Sequence, residues 1–159
     1  MRSNHEEVES AVTRTHLPVT GDPRPVPEPD DISRFYWDAA AEGRLALQRC
    51  CSCRKMQYPP EICCVHCQGD RFDIVDVAGR GVIYSYCVMD RPLHAGFVDA
   101  LPYVVVLVEL DEQPGLRILT DLVEVPEGTR LSCGLPVEVV FEERGAITLP
   151  QFRLTGAAA

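Results

Sequence analysis

From Phe72 to Leu154, apolar and polar positions alternate in short runs separated by glycine, proline and acidic turns, the pattern of a sheet protein. In the segment 136–143, Val137, Val139 and Phe141 alternate with Glu138, Val140 and Glu142, so one face enters a core and the other is left largely to water. Four more runs, at 82–89 (VIYSYCVM), 103–110, 116–125 and 146–154, are rich in β-branched and aromatic residues. The glycines of AGRG at 78–81 precede the first run and allow a long strand to bend around a corner. Five strands and no long helix predict a five-stranded barrel over residues 71–155, with the OB-fold as its architecture. Cys87 and Cys133 fall in a strand and a turn of this part and read as buried, inert thiols.

The pattern ahead of the barrel has a different period. Ile32, Phe35, Tyr36, Ala39 and Ala40 recur at the spacing of one helical face, with Asp31 as the expected N-cap and Gly43 as the expected stop. Trp37 lies off that face, so it is read either as a partner contact or as a side chain folded down onto the neighbouring module. Upstream, Pro18, Pro23, Pro25, Pro27 and Pro29 crowd a segment with little to bury, and residues 1–29 are expected to form a tail without fixed structure. Residues 156–159 read as a second short tail.

Between helix and barrel the chain concentrates six of its eight cysteines in RCCSCRKMQYPPEICCVHCQGD, residues 49–70. A knuckle that offers two thiolates to one metal ion needs cysteines at i and i+3, and only Cys50/Cys53 and Cys64/Cys67 have that spacing. The result, C-x2-C-x10-C-x2-C, predicts a structural zinc ribbon with one ion per chain over residues 30–70, although iron suits four thiolates as well. Cys51 and Cys63 are then bystanders, while a site built on Cys63 and His66 is allowed by spacing but strands Cys64 and Cys67. Arg49, Arg54 and Lys55 sit where cations or backbone amides can offset the negative charge of the metal site. Such a site is closed, so it cross-links the fold and does not activate water.

Composition narrows the function. The chain carries 24 acidic and 15 basic residues, a net charge of −9, and Lys55 is the only lysine. Residues 71–159 hold 7 basic and 13 acidic side chains, the wrong sign for a groove that tracks a phosphate backbone. No segment has the apolar length of a signal-peptide core or a membrane span. A cytoplasmic location is therefore expected, and there reducing conditions favour metal-bound or buried thiols over disulfides. His94, in the longest loop between strands (90–103), is placed for a general base, but no neighbour in the chain completes a recognisable triad.

The order RFYWDAAAEGRLALQRC, CSC…YPP…C-x2-C, AGRGVIYSYCVMDRPLHAGF, LPYVVVLVELDE, LTDLV and GLPVEVVFEE resembles a family of zinc-ribbon plus OB-fold proteins associated with acyl-CoA enzymes. The resemblance covers residues 32–154. It implies a mainly β architecture, an N-terminal helix and rubredoxin-like zinc ribbon followed by the OB-fold barrel. It also implies an accessory subunit of a thiolase-like enzyme, such as a steroid side-chain retro-aldolase or an acyltransferase, or of a hot-dog hydratase. In such complexes the small protein helps to shape the passage for the CoA thioester and the partner holds the catalytic groups. Carried onto this chain, the ligands are Cys50, Cys53, Cys64 and Cys67, and the loop of Arg91, His94, Gly96 and Phe97 is the candidate lip of the channel. The chain departs from the family pattern at Arg54 (usually Gly), Glu61 (often Arg), Val65 (usually Pro) and Asp121 (usually Asn). No ligand is lost, but Glu61 weakens the case that this surface grips CoA phosphates. The competing class is a zinc-ribbon/OB-fold nucleic-acid binder, which calls for a basic groove with exposed aromatics.

Overall fold

The computed structural model describes residues 24–156; most of the expected N-terminal tail, residues 1–23, and residues 157–159 lie outside that range. Asp30 organises the first turn, since its Oδ1 accepts hydrogen bonds from the Ile32 and Ser33 N–H groups at 3.1 and 2.7 Å and from the Ser33 hydroxyl at 2.6 Å. Helix α1 (Arg34–Ala41) follows, with Ser33 at its N-cap. The N-cap therefore falls at Ser33, two residues after the expected Asp31, and the carboxylate that organises the turn ahead of it is that of Asp30. A carboxylate reaches N–H groups two and three residues ahead of it, and Asp30 holds that position while exposed Asp31 only approaches Arg34 at 3.8 Å. The helix ends as expected at Gly43, whose φ of +72° lies in the left-handed region that closes helices. Tyr36, Ala39 and Ala40 are its buried residues.

The chain then forms a three-stranded antiparallel sheet in the order β2-β1-β3, from β1 (Leu45–Cys50), β2 (Met56–Gln57) and β3 (Phe72–Val77). Next come β4 (Arg80–Met89), a 3-10 turn (Ala95–Ala100), β5 (Tyr103–Leu110), β6 (Arg117–Leu122), β7 (Pro136–Arg144) and β8 (Ile147–Leu154). These five strands close a barrel in the order β4-β5-β6-β8-β7. All its pairs are antiparallel except β6 with β8, which meet in parallel at Leu122 and Phe152. The barrel is the OB-fold expected from the alternating runs. Among the described residues no helix is long and apolar enough to cross a membrane.

The glycines before β4 are required by close approach. A Cβ at Gly79, where φ is +66°, would lie 2.3 Å from Val139 Cγ1, and one at Gly81 would lie 2.2 Å from the Glu109 carbonyl oxygen. The strand corner therefore tolerates no side chain at either position.

One hydrophobic cluster serves both parts of the molecule. Ile83, Val106, Val108, Ile118, Val137 and Phe152 from the barrel join Tyr36, Leu45 and Leu47 from the helix and the small sheet. Phe152 is fully enclosed, and truncating such a side chain to alanine costs about 3–5 kcal/mol. Cys87 and Cys133, expected to be buried, are both exposed. The cause is that β4 pairs with β7 only over Arg80–Val82, so its later residues run past the closed part of the barrel, while Cys133 occupies the loop between β6 and β7.

Candidate metal centre

The two knuckles are built alike. In the first, the Arg54 N–H donates to the Cys50 carbonyl at 2.9 Å and the Cys50 N–H to the Lys55 carbonyl at 2.9 Å. In the second, the Gln68 N–H donates to the Cys64 carbonyl at 2.9 Å and the Cys64 N–H to the Gly69 carbonyl at 2.7 Å. Arg54 and Gln68, each directly after the second cysteine of its pair, both have φ of +63°. This left-handed residue turns the chain back so that both thiols of a pair face the same point. A side chain there costs roughly 1–2 kcal/mol, which explains why glycine suits the site now held by Arg54.

The turns bring four sulfurs together. Cys50 and Cys67 Sγ are 3.6 Å apart, Cys53 and Cys64 Sγ are 3.5 Å apart, and all four lie within 4.8 Å of one another. A tetrahedral ion with metal–sulfur bonds of about 2.3 Å sets its ligands about 3.8 Å apart, so the donor set fits a zinc ion. The packing leaves little slack: a Cβ on Gly69 would stand 3.2 Å from Ser52 Oγ and 3.5 Å from the sulfurs of Cys50 and Cys67.

Electrostatics agree with the geometry. The Cys53 N–H, followed by that of Ser52, lowers the Cys50 thiol to about 6. At Cys67 the Gly69 N–H acts in the same direction, but the neighbouring sulfurs of Cys50 and Cys53 outweigh it and push the thiol up to about 12. Once one sulfur ionises, its neighbours resist following without a cation between them. The Cys64 sulfur also accepts the His66 N–H at 3.4 Å. The group within metal-binding reach contains neither Cys63 nor the His66 ring, and Cys51 turns aside to donate to Asp73 at 3.6 Å.

The cationic fringe is arranged differently from the simplest expectation. Arg49 and Arg54 both converge on the Asp73 carboxylate, at 3.3 and 3.1 Å. The Arg49 hydrogen bond leads the interactions that hold that carboxyl below its usual range. These arginines tie β3 to the first knuckle, and half-exposed pairs of this kind add little stability individually.

Three glutamines unmarked by any sequence motif position the centre. Gln48 on β1 and Gln57 on β2 are buried, and the Gln57 amide donates to Gln48 Oε1 at 3.0 Å and to the Cys63 carbonyl at 3.3 Å. Gln57 Oε1 accepts the Val65 N–H at 3.0 Å, while Gln48 exchanges hydrogen bonds with the Glu61 carbonyl and N–H at 3.0 and 2.9 Å. The pair thus holds the crossing segment and the second knuckle against the small sheet. Gln113, at the β5–β6 turn, accepts from the Met56 N–H at 2.9 Å and donates to the Met56 carbonyl at 3.0 Å, which joins the ribbon to the barrel as a strand residue would. The only sequence signal is, for Gln48 and Gln57, an amide side chain within a strand, and Gln113, in the turn 111–116, carries none.

The remaining sequence candidates lie elsewhere. Trp37 meets Tyr36 edge-on at 4.8 Å and packs against the core cluster. It also lines two open clefts, of about 410 and 340 Å³, together with Tyr36, Tyr58 and Pro27. The second cleft continues to Leu119, Asp121 and Leu149 on the barrel, where burial raises the Asp121 carboxyl despite the opposing pull of Arg144 and Arg24. Arg91 and His94 are exposed at the start of the 90–102 loop. His94 Nδ1 accepts the Gly96 N–H at 3.0 Å and so caps the 3-10 turn. Phe97 stacks on Tyr103 at 5.1 Å beneath the Arg24 guanidinium, whose Nε also donates to the Gly96 carbonyl at 3.1 Å. Residues 24–27 therefore reach from the Phe97 loop to the Trp37 clefts.

Comparison with known proteins follows the same division. A family model described as the ChsH2 rubredoxin-like zinc ribbon domain matches residues 37–73, and one described as the ChsH2 C-terminal OB-fold domain matches residues 74–142. A chain in the solved structure of an Ltp2-ChsH2(DUF35) aldolase is 39% identical, with a TM-score of 0.70 over 81% of this chain and 98% of that one. The probable enoyl-CoA hydratase alpha subunit of Thermomonospora curvata is 40% identical over 82% of this chain, which spans 40% of that relative's length. The benzoylsuccinyl-CoA thiolase subunit BbsA of Thauera aromatica is 30% identical over 62% of this chain and 78% of its own.

Proposed function

The chain belongs to the ChsH2 family of zinc-ribbon and OB-fold proteins, and on that footing we propose that it is an accessory subunit of a thiolase-like acyl-CoA enzyme. The partner is a steroid side-chain retro-aldolase or an acyltransferase of thiolase type. This chain supports it and lines part of the passage for the CoA thioester. The observation that carries the reading is the match to nearly the whole ChsH2 chain of an aldolase complex, at 39% identity over 98% of its length. The thiolase subunit from Thauera aromatica supports the same partner class.

In this reading Cys50, Cys53, Cys64 and Cys67 hold one zinc ion, which supplies a cross-link with all four positions filled by protein sulfur. The ribbon with its small sheet stays docked on the barrel, whose first strand begins at Arg80, through the shared core and Gln113. Arg91, His94 and Phe97 form the lip of the passage, and Trp37 with its clefts forms a contact surface. His94 serves there by shaping the loop, since its Nδ1 is engaged by the Gly96 N–H. The nucleic-acid reading loses weight because the net charge of −9 opposes a phosphate backbone.

Co-expression with a thiolase-like acyl-CoA enzyme from the same genome tests the proposal. A stable complex is expected, with one zinc per chain of this protein and a change in the partner's activity on a CoA thioester. Failure to co-purify together with unchanged partner activity refutes it. Tight, salt-sensitive binding to single-stranded nucleic acid would put the alternative in its place.

A further inference from the structure

The strand that opens the barrel outruns it. On the β7 side, β4 pairs only over Arg80–Val82. The last backbone contacts there are from the Ile83 N–H to the Leu135 carbonyl at 2.9 Å and from the Gly134 N–H to the Ile83 carbonyl at 2.8 Å. A register shift between Ile83 and Ser85 follows, after which β4 continues to Met89 with β5 as its neighbour. Among the described residues, no backbone group pairs with the outer edge of this segment.

The segment has three properties that rarely coincide in an edge open to water. First, Tyr84, Ser85, Tyr86, Cys87 and Val88 are all exposed, so side chains on both faces of the strand reach water while its outer edge is free. Second, YSYCVM contains no charge and no proline, whereas edges are ordinarily guarded by such residues or kept very short. This chain guards both edges of its small sheet in that way: β2 has two residues and β3 carries Asp73 and Asp76. Third, both tyrosines are held in place. The Tyr86 hydroxyl donates to the Leu131 carbonyl at 3.0 Å, and the Arg117 guanidinium lies 3.4 Å from the centre of the Tyr84 ring. Aromatic side chains fixed before binding lose little entropy on contact.

From these observations we infer that Tyr84–Met89 is a docking strand, to which an extended, apolar segment of the thiolase-like partner adds by backbone pairing; the inference rests on the function proposed above. A row of free N–H and C=O groups repeating every second residue is matched by another extended backbone. Apolar side chains on both faces call for apolar residues on both faces of the added strand. A second copy of this chain is the poorer occupant, because each copy carries a net charge of −9 and like-charged surfaces repel.

The test uses the full chain and its co-expressed thiolase-like partner. Cys87→Lys/Val88→Lys places a charge on each face of the strand at exposed positions, and is expected to weaken the complex by about tenfold or more. Ile74→Lys, at an exposed position of β3, is the control and should bind like the parent. In the unmodified complex, amide hydrogen exchange along 84–89 should slow on binding, a readout independent of how the variants fold. Unchanged affinity of the double variant, or absence of new protection along 84–89 in a complex that does form, overturns the docking strand and leaves the accessory role standing. Failure of the parent to capture the partner overturns both.

Discussion

Replacing Gln57 by leucine should loosen the metal centre although Gln57 touches no sulfur. The side chain is 3% exposed and makes three hydrogen bonds, to Gln48 Oε1, to the Cys63 carbonyl and from the Val65 N–H. Leucine fills a similar volume and makes none. Each buried hydrogen bond contributes about 1 kcal/mol net, and a buried group left without a partner costs about 1–3 kcal/mol. Val65 is 61% exposed, so water can replace the lost partner at that end. Gln48 Oε1 keeps the Glu61 N–H, which leaves the Cys63 carbonyl as the main orphan. A total of about 2 kcal/mol follows from these terms. Because the lost bonds hold the segment that carries Cys64 and Cys67, most of that cost should appear in the metal-bound state. Zinc affinity measured by competition with a chromophoric chelator should then fall by about 30-fold, with a lower melting temperature in the zinc-loaded protein. Affinity within about threefold of the parent, less than 1 kcal/mol, would refute the view that the buried amides position the second knuckle.

Three other outcomes follow from the same coordinates. Replacing Cys64, which is fully buried, by serine should abolish stoichiometric zinc by elemental analysis and unfold the ribbon, seen as faster proteolysis between residues 44 and 77. Gly79→Ala combines a left-handed φ with a 2.3 Å approach to Val139, and chemical denaturation should show a loss of about 2–4 kcal/mol. Asp121→Asn should raise stability at neutral pH, because burial disfavours the charged carboxylate in the folded state. The folded-state pKa is raised, so the penalty is fully present above it and fades as pH falls through it. The advantage of the variant over the parent should therefore shrink on acidification, and an advantage that grew instead would contradict the assignment.

Much of this architecture was legible because its signals are local. The spacing of Cys50, Cys53, Cys64 and Cys67 picks out the four sulfurs that meet, and the alternation in 136–143 marks a strand with Val137 fully buried and Val139 and Phe141 packed on the core. What could not be read depends on partners distant in sequence. VIYSYCVM has the composition of a buried strand, yet its burial stops at Ile83 because β7 accompanies it no further. The exposure of Cys87 follows from that limit. Gln113 lies 57 residues from the Met56 backbone it clasps, and a two-residue strand such as β2 has no periodicity to detect. The shift of the helix cap from Asp31 to Ser33 is smaller but similar in kind, since Asp30, Asp31 and Ser33 all offer capping chemistry and only the turn geometry, with Asp30 accepting the Ser33 N–H, separates them.

The single core shared by the ribbon and the barrel limits how this protein can be taken apart. Leu45 and Leu47 are 2% and 1% exposed within the cluster that also holds Phe152. A cut between the modules near residue 77 would leave an apolar wound on each fragment, and neither piece would travel well into a new host protein. The portable unit is the pair, with the hinge welded shut.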